Sequence, residues 1–545
     1  MNEVLLVVGG IIFLCVFLNN LSNRFGVPVL LAFMLLGITM SSLDPDPYQA
    51  FAVEAIEKTC TVALIFIMFY GGFGTRLEAA RPVLMPAGLL ATAGVAATAA
   101  VTGLFCHYAL NWGWAEAFLM GSVISSTDAA SVFSILRSRR LGLKNHTAPM
   151  LEVESGSNDP MSYMLTVVML SVLNGTASGL GVVLLVIKQL VIGVLAGFVI
   201  AEAFIRLFES RFKPGDGGFG SVLIFGVALF SYAVPSILGG NGYLCVYIVG
   251  IILGNKSDFS GKKSLVNFFD GITSMMQILI FYMLGTMAHV SELHRSVLPA
   301  MAIFAFITFV ARPVSVSSVL SLCGGRKYSF RQQTLVSFVG LRGAASIVFA
   351  MLVLNSGAPL QHDIFNIVFC IVLMSILLQG SLIPFVAEKL KMVDENEDVM
   401  KTFSDFSEES EVVFGSIGIG DGSPWTGHRV SELNLPKNLI LVLVLRDSER
   451  IVPDGNTVLQ KGDSVVVCTR AYSGLSSDSI YQHRVSRSSE WVGRTIKEHP
   501  KRNKGMIILI TRDNESIIPN GDTVIMENDL LTIFDRKQQT VRSEE

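Results

Sequence analysis

The chain has 545 residues, 51% of them hydrophobic and only 16% charged, with a mean hydropathy of +0.56; soluble domains carry about a quarter charged residues, so an ordinary soluble globule is excluded and a membrane protein is expected. Forty-one Lys+Arg against forty-four Asp+Glu leave a formal charge of -3, which gives no bulk positive field to attract nucleic acid. Cys15, Cys60, Cys106, Cys245, Cys323 and Cys370 lie in or beside apolar runs, with no Cys-x-x-Cys pair and no histidine at metal-ligand spacing, so neither a disulfide framework nor a zinc site is expected.

The first apolar run, Val4 to Leu18, follows Met-Asn-Glu rather than a basic segment and has no small-residue cleavage site, so it reads as a retained helix. From there to about Pro384, apolar stretches of about 16 to 27 residues alternate with short polar turns, each stretch long enough for roughly 30 Å of hydrocarbon. Thirteen spans are expected, at about 4–20, 27–43, 58–74, 83–108, 114–136, 148–174, 181–207, 218–238, 240–255, 265–288, 297–322, 330–354 and 363–387. One set of alternate loops carries Arg24; Arg76 and Arg81; Arg137, Arg139, Arg140 and Lys144; Arg206, Arg211 and Lys213; Lys256, Lys262 and Lys263; Arg326, Lys327 and Arg331; Lys389 and Lys391. The other set has almost only Lys58 and Arg295. That asymmetry predicts an odd number of spans, with the N-terminus outside and the C-terminus in the cytoplasm; the expected location is a bacterial inner (plasma) membrane.

The spans repeat. Leu64-Ile65-Phe66-Ile67-Met68 resembles Leu279-Ile280-Phe281-Tyr282-Met283, and Asp128-Ala129-Ala130-Ser131 resembles Gly343-Ala344-Ala345-Ser346, both pairs 215 residues apart. The offset covers seven spans, so the copies face opposite ways: an inverted repeat with the seventh span as linker and a site near the midplane. Chance similarity between apolar segments is the alternative.

Charges inside spans are costly, which makes Asp128, Glu152, Glu154, Asp159, Lys188, Arg312 and Arg342 candidates for function. At about 1.5 Å per helical residue, Asp128, Asp159 and Arg342 all fall roughly 16 to 18 Å deep. In Leu151–Pro160, Pro160 lacks an N–H and so frees the Gly156 carbonyl, which with Ser155, Ser157 and Asn158 offers oxygen ligands to a hard cation. Asp159 supplies the charge: a carboxylate buried in the membrane carries either a proton or a cation, the minimum chemistry of a cation/proton exchanger. Permanent pairing of Asp159 with Arg342 is the structural alternative. Glu154, four residues before Asn158 on the same face, is the preferred partner of Arg342. Ser125-Ser126-Thr127-Asp128 predicts either an unwound segment mid-span or a polar helix interface. Arg312, before Pro313, and Lys188 read as interface or snorkelling residues. Glu152 reads equally as an entry-funnel acid or a solvated helix end.

After about Lys391 an acidic linker, Asp394 to Glu409, leads to a second repeat. Trp425-Thr426-Gly427 matches Trp491-Val492-Gly493, Arg446-Asp447 matches Arg512-Asp513, Ile451 to Gly455 matches Ile517 to Gly521, and Asp463 matches Asp529, every pair 66 apart. Each unit has an apolar strand (Leu439 to Leu445; Met506 to Thr511), a Pro-x-Gly turn and another strand (Ser464 to Cys468; Leu530 to Phe534), as in a small α/β module. The expected divisions are 1–390 in the membrane, 391–410 as linker, and modules at 411–475 and 476–545.

Thr127-Asp128 in the fifth span, Glu154-Ser155-Gly156-Ser157-Asn158-Asp159 in the sixth and Gly340-Leu341-Arg342-Gly343 in the twelfth together resemble the monovalent cation:proton antiporter family, NhaP type. That resemblance implies an α-helical polytopic fold of about thirteen helices in inverted repeats. It further implies a homodimer whose core bundle moves against a dimerisation domain as an elevator. Asp159 would bind K+ or Na+ and, in turn, the proton; Thr127 and Ser155 would help ligate the ion, Asn158 and Asp128 would hold the crossed segment, and Glu154 would pair with Arg342. Asn-Asp at 158–159 resembles the electroneutral members. Some relatives add an acid from the third span, and Val62 to Gly74 contains none. The tail resembles tandem TrkA-C modules, which bind ligands at dimer interfaces; the usual nucleotide-binding partner domain is missing, and Gly418-Ile419-Gly420-Asp421-Gly422 lacks the last glycine and the strand-turn-helix of a dinucleotide fingerprint. No cofactor is expected, with an unidentified tail ligand or a purely structural dimerisation role left open. By analogy with such tails, K+ is preferred over Na+, in the service of cell volume or pH homeostasis.

Two other classes are weighed. A ligand-gated K+ channel needs a Thr-Val-Gly-Tyr-Gly filter, and Gly240-Asn241-Gly242-Tyr243 is the nearest fragment. An organic-anion transporter on a related scaffold would not need Asn-Asp at the midplane. No nucleophile-base pair or phosphate loop suggests an enzyme, and His146, His428, His483 and His499 read as solvated residues.

Overall fold

A computed structural model describes residues 29–43, 53–75, 77–139, 141–210, 219–256, 262–288, 290–323, 328–394, 412–420, 423, 425–433, 435, 439–446, 449–470, 480–485, 491–498, 506–512, 515–517, 519 and 521–534, with six positions between 9 and 17. Its contacts divide the chain into two compact units, Met1–Ser407 and Glu408–Glu545.

The first unit is helical. In chain order come α1 (Val29–Leu43), α2 (Val53–Gly74), α3 (Leu84–Leu110), α4 (Trp114–Val123), α5 (Ala129–Ser138), α6 (Thr147–Leu173), α7 (Leu180–Ser210), α8 (Phe219–Ile237), α9 (Gly242–Asn255), α10 (Lys262–Met287), α11 (Val290 to Leu322), α12 (Phe330–Phe338), α13 (Ala344–Asn355) and α14 (Ile364–Lys389). Among the described residues six helices are long and apolar enough to cross a membrane by themselves. The expected first span, 4–20, lies largely outside the described residues. On α7, Leu184, Leu195, Phe198 and Val199 are more than half exposed, as expected of a helix facing lipid rather than water.

Two expected spans are not single helices. The fifth breaks into α4 and α5 at residues 124–128, and the twelfth into α12 and α13 at residues 339–343. Three other spans widen into π turns, at Leu90–Gly94 in α3, Ile307–Ala311 in α11 and Ser375–Gln379 in α14. A π turn inserts a residue and turns every later side chain on the helix, a device common at functional sites. Two of the three fall in the repeat-related pair α3 and α11, and they meet: Ser315 Oγ, just after the second, donates to the carbonyl of Gly94 in the first at 2.6 Å. Close packing of α2 on α9 needs small residues, since a Cβ at Gly250 would lie 2.5 Å from the Phe69 carbonyl oxygen. Strands β1 (Gly142–Leu143) and β2 (Val393–Asp394) pair antiparallel and tie the turn after α5 to the end of α14.

The second unit holds two four-stranded antiparallel sheets. β3 (Val412–Gly418), β4 (Leu439–Arg446), β5 (Glu449–Ile451) and β6 (Ser464–Arg470) are ordered β3-β6-β4-β5; β7 (Ile480–Arg484), β8 (Met506–Arg512), β9 (Glu515–Ile517) and β10 (Leu530–Phe534) are ordered β7-β10-β8-β9. Topology, register and even the β-bulge coincide, at Val442 in one sheet and Ile508 in the other. The helical share of the expected α/β modules is, among the described residues, one 3₁₀ turn in each, Val430–Glu432 and Ile496–Glu498.

Candidate functional site

The two breaks lie against each other. Asp128 N–H donates to the Leu341 carbonyl at 2.8 Å, so the extended segments cross with one backbone bond between them. Each break exposes helix ends, whose N–H and C=O groups lack intrahelical partners and carry the partial charges of the helix dipole. Asp128 answers the positive end of α5: Oδ1 accepts from Ser131 N–H at 3.2 Å, and Oδ2 accepts from the Ser131 hydroxyl. Arg342 answers the other side, its Nη1 donating to the Ser126 carbonyl at 2.8 Å. The Gly340-Leu341-Arg342-Gly343 run can now be read atom by atom. A Cβ at 343 would overlap the Asp128 side chain, and one at 340 would come within 2.7 Å of Arg312 Nε. Gly343 therefore admits the carboxylate, Gly340 admits a guanidinium, and the residues between them supply the crossing bond and the charge.

α6 presents its polar face to this crossing. Ser155 Oγ donates to the Thr127 carbonyl at 2.7 Å and accepts from Ala129 N–H at 2.8 Å. The Asn158 amide grips the other side of the same residue: Nδ2 donates to Thr127 Oγ1, and Oδ1 accepts from Thr127 N–H at 3.4 Å. Ser126 Oγ donates to Asp159. Ser126 thus stands between Asp159, which takes its hydroxyl, and Arg342, which takes its carbonyl. α6 is continuous through Pro160, and the carbonyl of Pro160 accepts from Asn241 Nδ2 at 2.7 Å.

Three expectations are corrected here. Glu154 does not pair with Arg342. Its Oε1 accepts from Arg312 Nη1 at 2.8 Å, and both side chains are 1% exposed. Of the two readings of Arg312, interface or snorkelling, the pair with Glu154 fits the first: Arg312 follows directly on the π turn of α11, which turns it inward to Glu154. A guanidinium at this depth needs a carboxylate, and Arg312 is the one that Glu154 bonds directly. Ser157 turns away from the crossing and bonds the Tyr247 hydroxyl at 3.2 Å. Asn158 is fully buried and does not line the cavity; its amide is committed to Thr127.

A cavity of ≈ 330 Å³ reaches from one end of the unit to the crossing, where Ser126, Thr127, Asp128, Ser155, Gly156 and Asp159 line it. At its mouth are Glu152 and a residue that sequence reasoning passed over, Asp270 of α10, which accepts from the Tyr70 hydroxyl at 3.3 Å. Thr273, Ser274 and Gln277 continue the polar side of α10 inward. A carboxylate with hydroxyls one turn further along the same apolar helix is the signal that would have found this wall. Lys188 stays outside the site, its Nζ beside Gly239 just past the C-terminal end of α8, an end that favours positive charge.

Residues 9–389 match the sodium/hydrogen exchanger transmembrane family, and residues 416–471 and 480–539 each match the TrkA-C domain. Across both regions the chain is 34% identical over 476 residues to the K(+)/H(+) antiporter NhaP of Alkalimonas amylolytica, covering 86% of this chain and 81% of that one. It is 32% identical to the K(+)/H(+) antiporter NhaP2 of Shewanella oneidensis, over 87% and 83% of the two chains. Its fold matches the sodium proton antiporter MjNhaP1 of Methanocaldococcus jannaschii with a TM-score of 0.61 at 22% identity, over 71% of this chain and 99% of that one. Crossed helix breaks, a carboxylate at the end of a polar cavity and these matches converge: the chain belongs to the sodium/hydrogen exchanger family and is a cation/proton antiporter, a transporter and not an enzyme.

Proposed function

We propose that the chain exchanges K+ for H+ one for one at Asp159, by alternating access of an elevator type in a homodimer. The observation that carries this reading is the balance of buried charge around the crossing. Two guanidiniums, Arg312 and Arg342, are 1% and 2% exposed. Glu154 pairs with the first directly, and Asp128, held at the same crossing by its N–H bond to Leu341, is the second carboxylate to count against the second arginine. Asp159 is the carboxylate left over, and its one charge needs one positive partner, a proton or a monovalent cation. With a single exchangeable partner, one proton moves per cation and no net charge crosses.

Ser126, Thr127 and Ser155 stand on the wall beside Asp159, and hard oxygen donors with one carboxylate suit an alkali cation. Asn158 and Asp128 serve as positioning residues, because each holds the unwound segment and Asn158 does so from outside the cavity. K+ is favoured because the similar chains that span both the membrane and tail regions are named K(+)/H(+) antiporters. The C-terminal modules, taken as 411–475 and 476–545, would sit in the cytoplasm and regulate exchange. The loop charges at Arg137, Arg139 and Lys144 and at Lys262 and Lys263 support that orientation.

The test is ion-driven pH change in proteoliposomes of the full chain, with K+, Na+ and Li+ pulses, for the native protein and Asp159→Asn. K+ pulses should dissipate the pH gradient at a rate unaffected by clamping the voltage, and Asp159→Asn should abolish it. Exchange that persists in Asp159→Asn, or a rate that follows the voltage, would sink the one-for-one reading.

A further inference from the structure

The cavity ends at Asp159 and Leu64, yet polar side chains continue past it. One turn beyond Asp159 on the same face of α6, Tyr163 stands edge-on to Tyr243 of α9 with ring centroids 4.9 Å apart, and Tyr243 tilts against Tyr232 of α8, also at 4.9 Å. The three rings come from three helices, α6, α8 and α9, and Thr61 of α2 lies beside Tyr243. Thr61 Oγ1 in turn donates to Glu57 Oε1 at 3.1 Å. Phe349 of α13 packs against the same rings at 5.8 and 6.2 Å. The rings leave no way through for a hydrated cation: Tyr243 is 2% exposed. The rings form a closed seam, with α6 on one side and α8 and α9 on the other.

Glu57 lies beyond that seam. On α2 the cavity-lining residues begin at Leu64, and Thr61 and Glu57 follow one and two turns further from the mouth. The basic neighbour on its own helix, Lys58, is taken by Glu54 at 2.6 Å. The titratable groups facing Glu57 from the packed helices are Tyr163, Tyr232 and Tyr243. The arrangement parallels the cavity mouth, where Asp270 of α10 meets the Tyr70 hydroxyl: each end of the unit has a carboxylate on one helix near tyrosines of another. α2 and α10 are the helices that the 215-residue offset relates, and an inverted repeat lets such helices exchange roles when access changes sides.

We propose that Glu57, with Thr61 and Tyr243, is a second carboxylate station on the ion route, the one that meets cation and proton on the side opposite the cavity once the tyrosine seam parts. This rests on the antiport reading. When the seam is open, a cation leaving Asp159 meets hydroxyl oxygens and then a negative charge, and the same charge concentrates cations and protons from the far solution. The step is ionic. A proton taken by the Glu57 carboxylate comes from far-side water and passes on to Asp159 as the cation departs, with no other bond made or broken.

The experiment uses the full-length protein in right-side-out and everted membrane vesicles, so that K+ or Na+ is offered from one side at a time. Glu57→Gln should raise the half-saturating cation concentration at least three-fold on the far side and leave the cavity-side value unchanged. Glu57→Asp should restore it, and Tyr243→Phe should give a smaller effect of the same sidedness. A Glu57→Gln protein unchanged on both sides, or changed equally on both, overturns the assignment. So does a Glu57→Asp protein as defective as Glu57→Gln, which would mark a packing role. Native vesicles without Asp159-dependent exchange would overturn the antiport reading itself, whereas native exchange with an unmoved far-side value would overturn the Glu57 station alone.

Discussion

Both units of this chain are built by duplication, and they treat buried charge in opposite ways. In the tail the copies are the same to the hydrogen bond. Arg446 Nε and Nη2 donate to Asp463 at 2.7 and 2.8 Å and Nη2 to the Val458 carbonyl at 2.9 Å; Arg512 makes the same set with Asp529 and Val524 at 2.8, 2.7 and 2.8 Å. In the membrane unit the copies share a backbone and differ in side chains. At the 215-residue offset Thr127 corresponds to Arg342 and Asp128 to Gly343, and of the matching serines only Ser131 bonds Asp128, while the Ser346 hydroxyl finds no partner among the described residues. The difference follows from what each copy touches. An Arg–Asp pair closes within its own tail module, so repetition costs nothing. The membrane breaks touch each other, and two carboxylates or two guanidiniums at one crossing would repel in a medium that screens poorly. One copy therefore supplies Asp128 where the other has glycine, and the other supplies Arg342 where the first offers a carbonyl.

The largest effects should come where this asymmetry is removed. Asp159→Asn should abolish exchange, by at least 100-fold in proteoliposome rate, while the melting temperature holds or rises, because the unbalanced charge is gone. A fall in stability together with activity would mean that Asp159 is a structural carboxylate. Gly343→Ala should be nearly as damaging to activity for a different reason: its methyl group takes the space of the Asp128 side chain. Exchange should drop more than ten-fold and the protein should melt lower, and the Asp128→Gly/Gly343→Ala double variant should recover stability without recovering exchange.

The Glu154–Arg312 pair gives a sharper test of which charges belong together. Removing either partner leaves a buried ion uncompensated, which costs about 3–5 kcal/mol. Glu154→Gln with Arg312→Gln should cost much less than the two single changes added together, whereas Glu154→Gln with Arg342→Gln should be close to additive. Thermal or denaturant unfolding of the four-member cycles measures both couplings, and equal couplings would show that Glu154 is shared between the two arginines.

Sequence alone gave depth and order more faithfully than direction around a helix. The break at 124–128, one of two readings of Ser125 to Asp128, and the gathering of Asp128, Asp159 and Arg342 around one crossing were legible, because hydropathy, the 1.5 Å rise and the inverted offset all report position along the chain's crossings of the membrane. The partner of Glu154 was not. The π turn at Ile307–Ala311 leaves no mark in the letters, yet it decides that Arg312 points inward. Ser157 was misread for a similar reason: spacing put it near Asp159, but its face of α6 meets Tyr247. Asp270 and the three tyrosines of the seam were passed over because a polar residue near a span end reads as solvated, and an aromatic one within a span reads as core. In the tail, matches 66 apart located two of the four strands in each sheet, β4 and β6 in the first and β8 and β10 in the second, whereas β3, β5, β7 and β9 were not read.

The smallest effect is expected in the tail, and its sign follows from the paired arginines. Bidentate bonding to Arg446 holds the Asp463 carboxyl below its usual range despite burial. Burial pushes Asp529 up, but Arg512 and the Met526 N–H outweigh it, and that carboxyl is lowered as well. A carboxyl lowered by folding contributes stability that is fully present above its unfolded value, near 3.8, and is lost as pH falls through the lower folded one. The tail should therefore be insensitive to pH from about 5 to 8 and lose about 1–3 kcal/mol per module in stronger acid. Each module packs one tryptophan beside its core, Trp425 in the first and Trp491 in the second. Fluorescence of the full chain carrying Trp112→Phe and Trp114→Phe together with Trp425→Phe or Trp491→Phe consequently reports one module at a time. Asp463→Asn should remove the acid response of the Trp425 module and leave that of the Trp491 module intact. Two closed pairs should titrate independently, and a response that moved in both modules would show that these apparently self-contained copies are coupled.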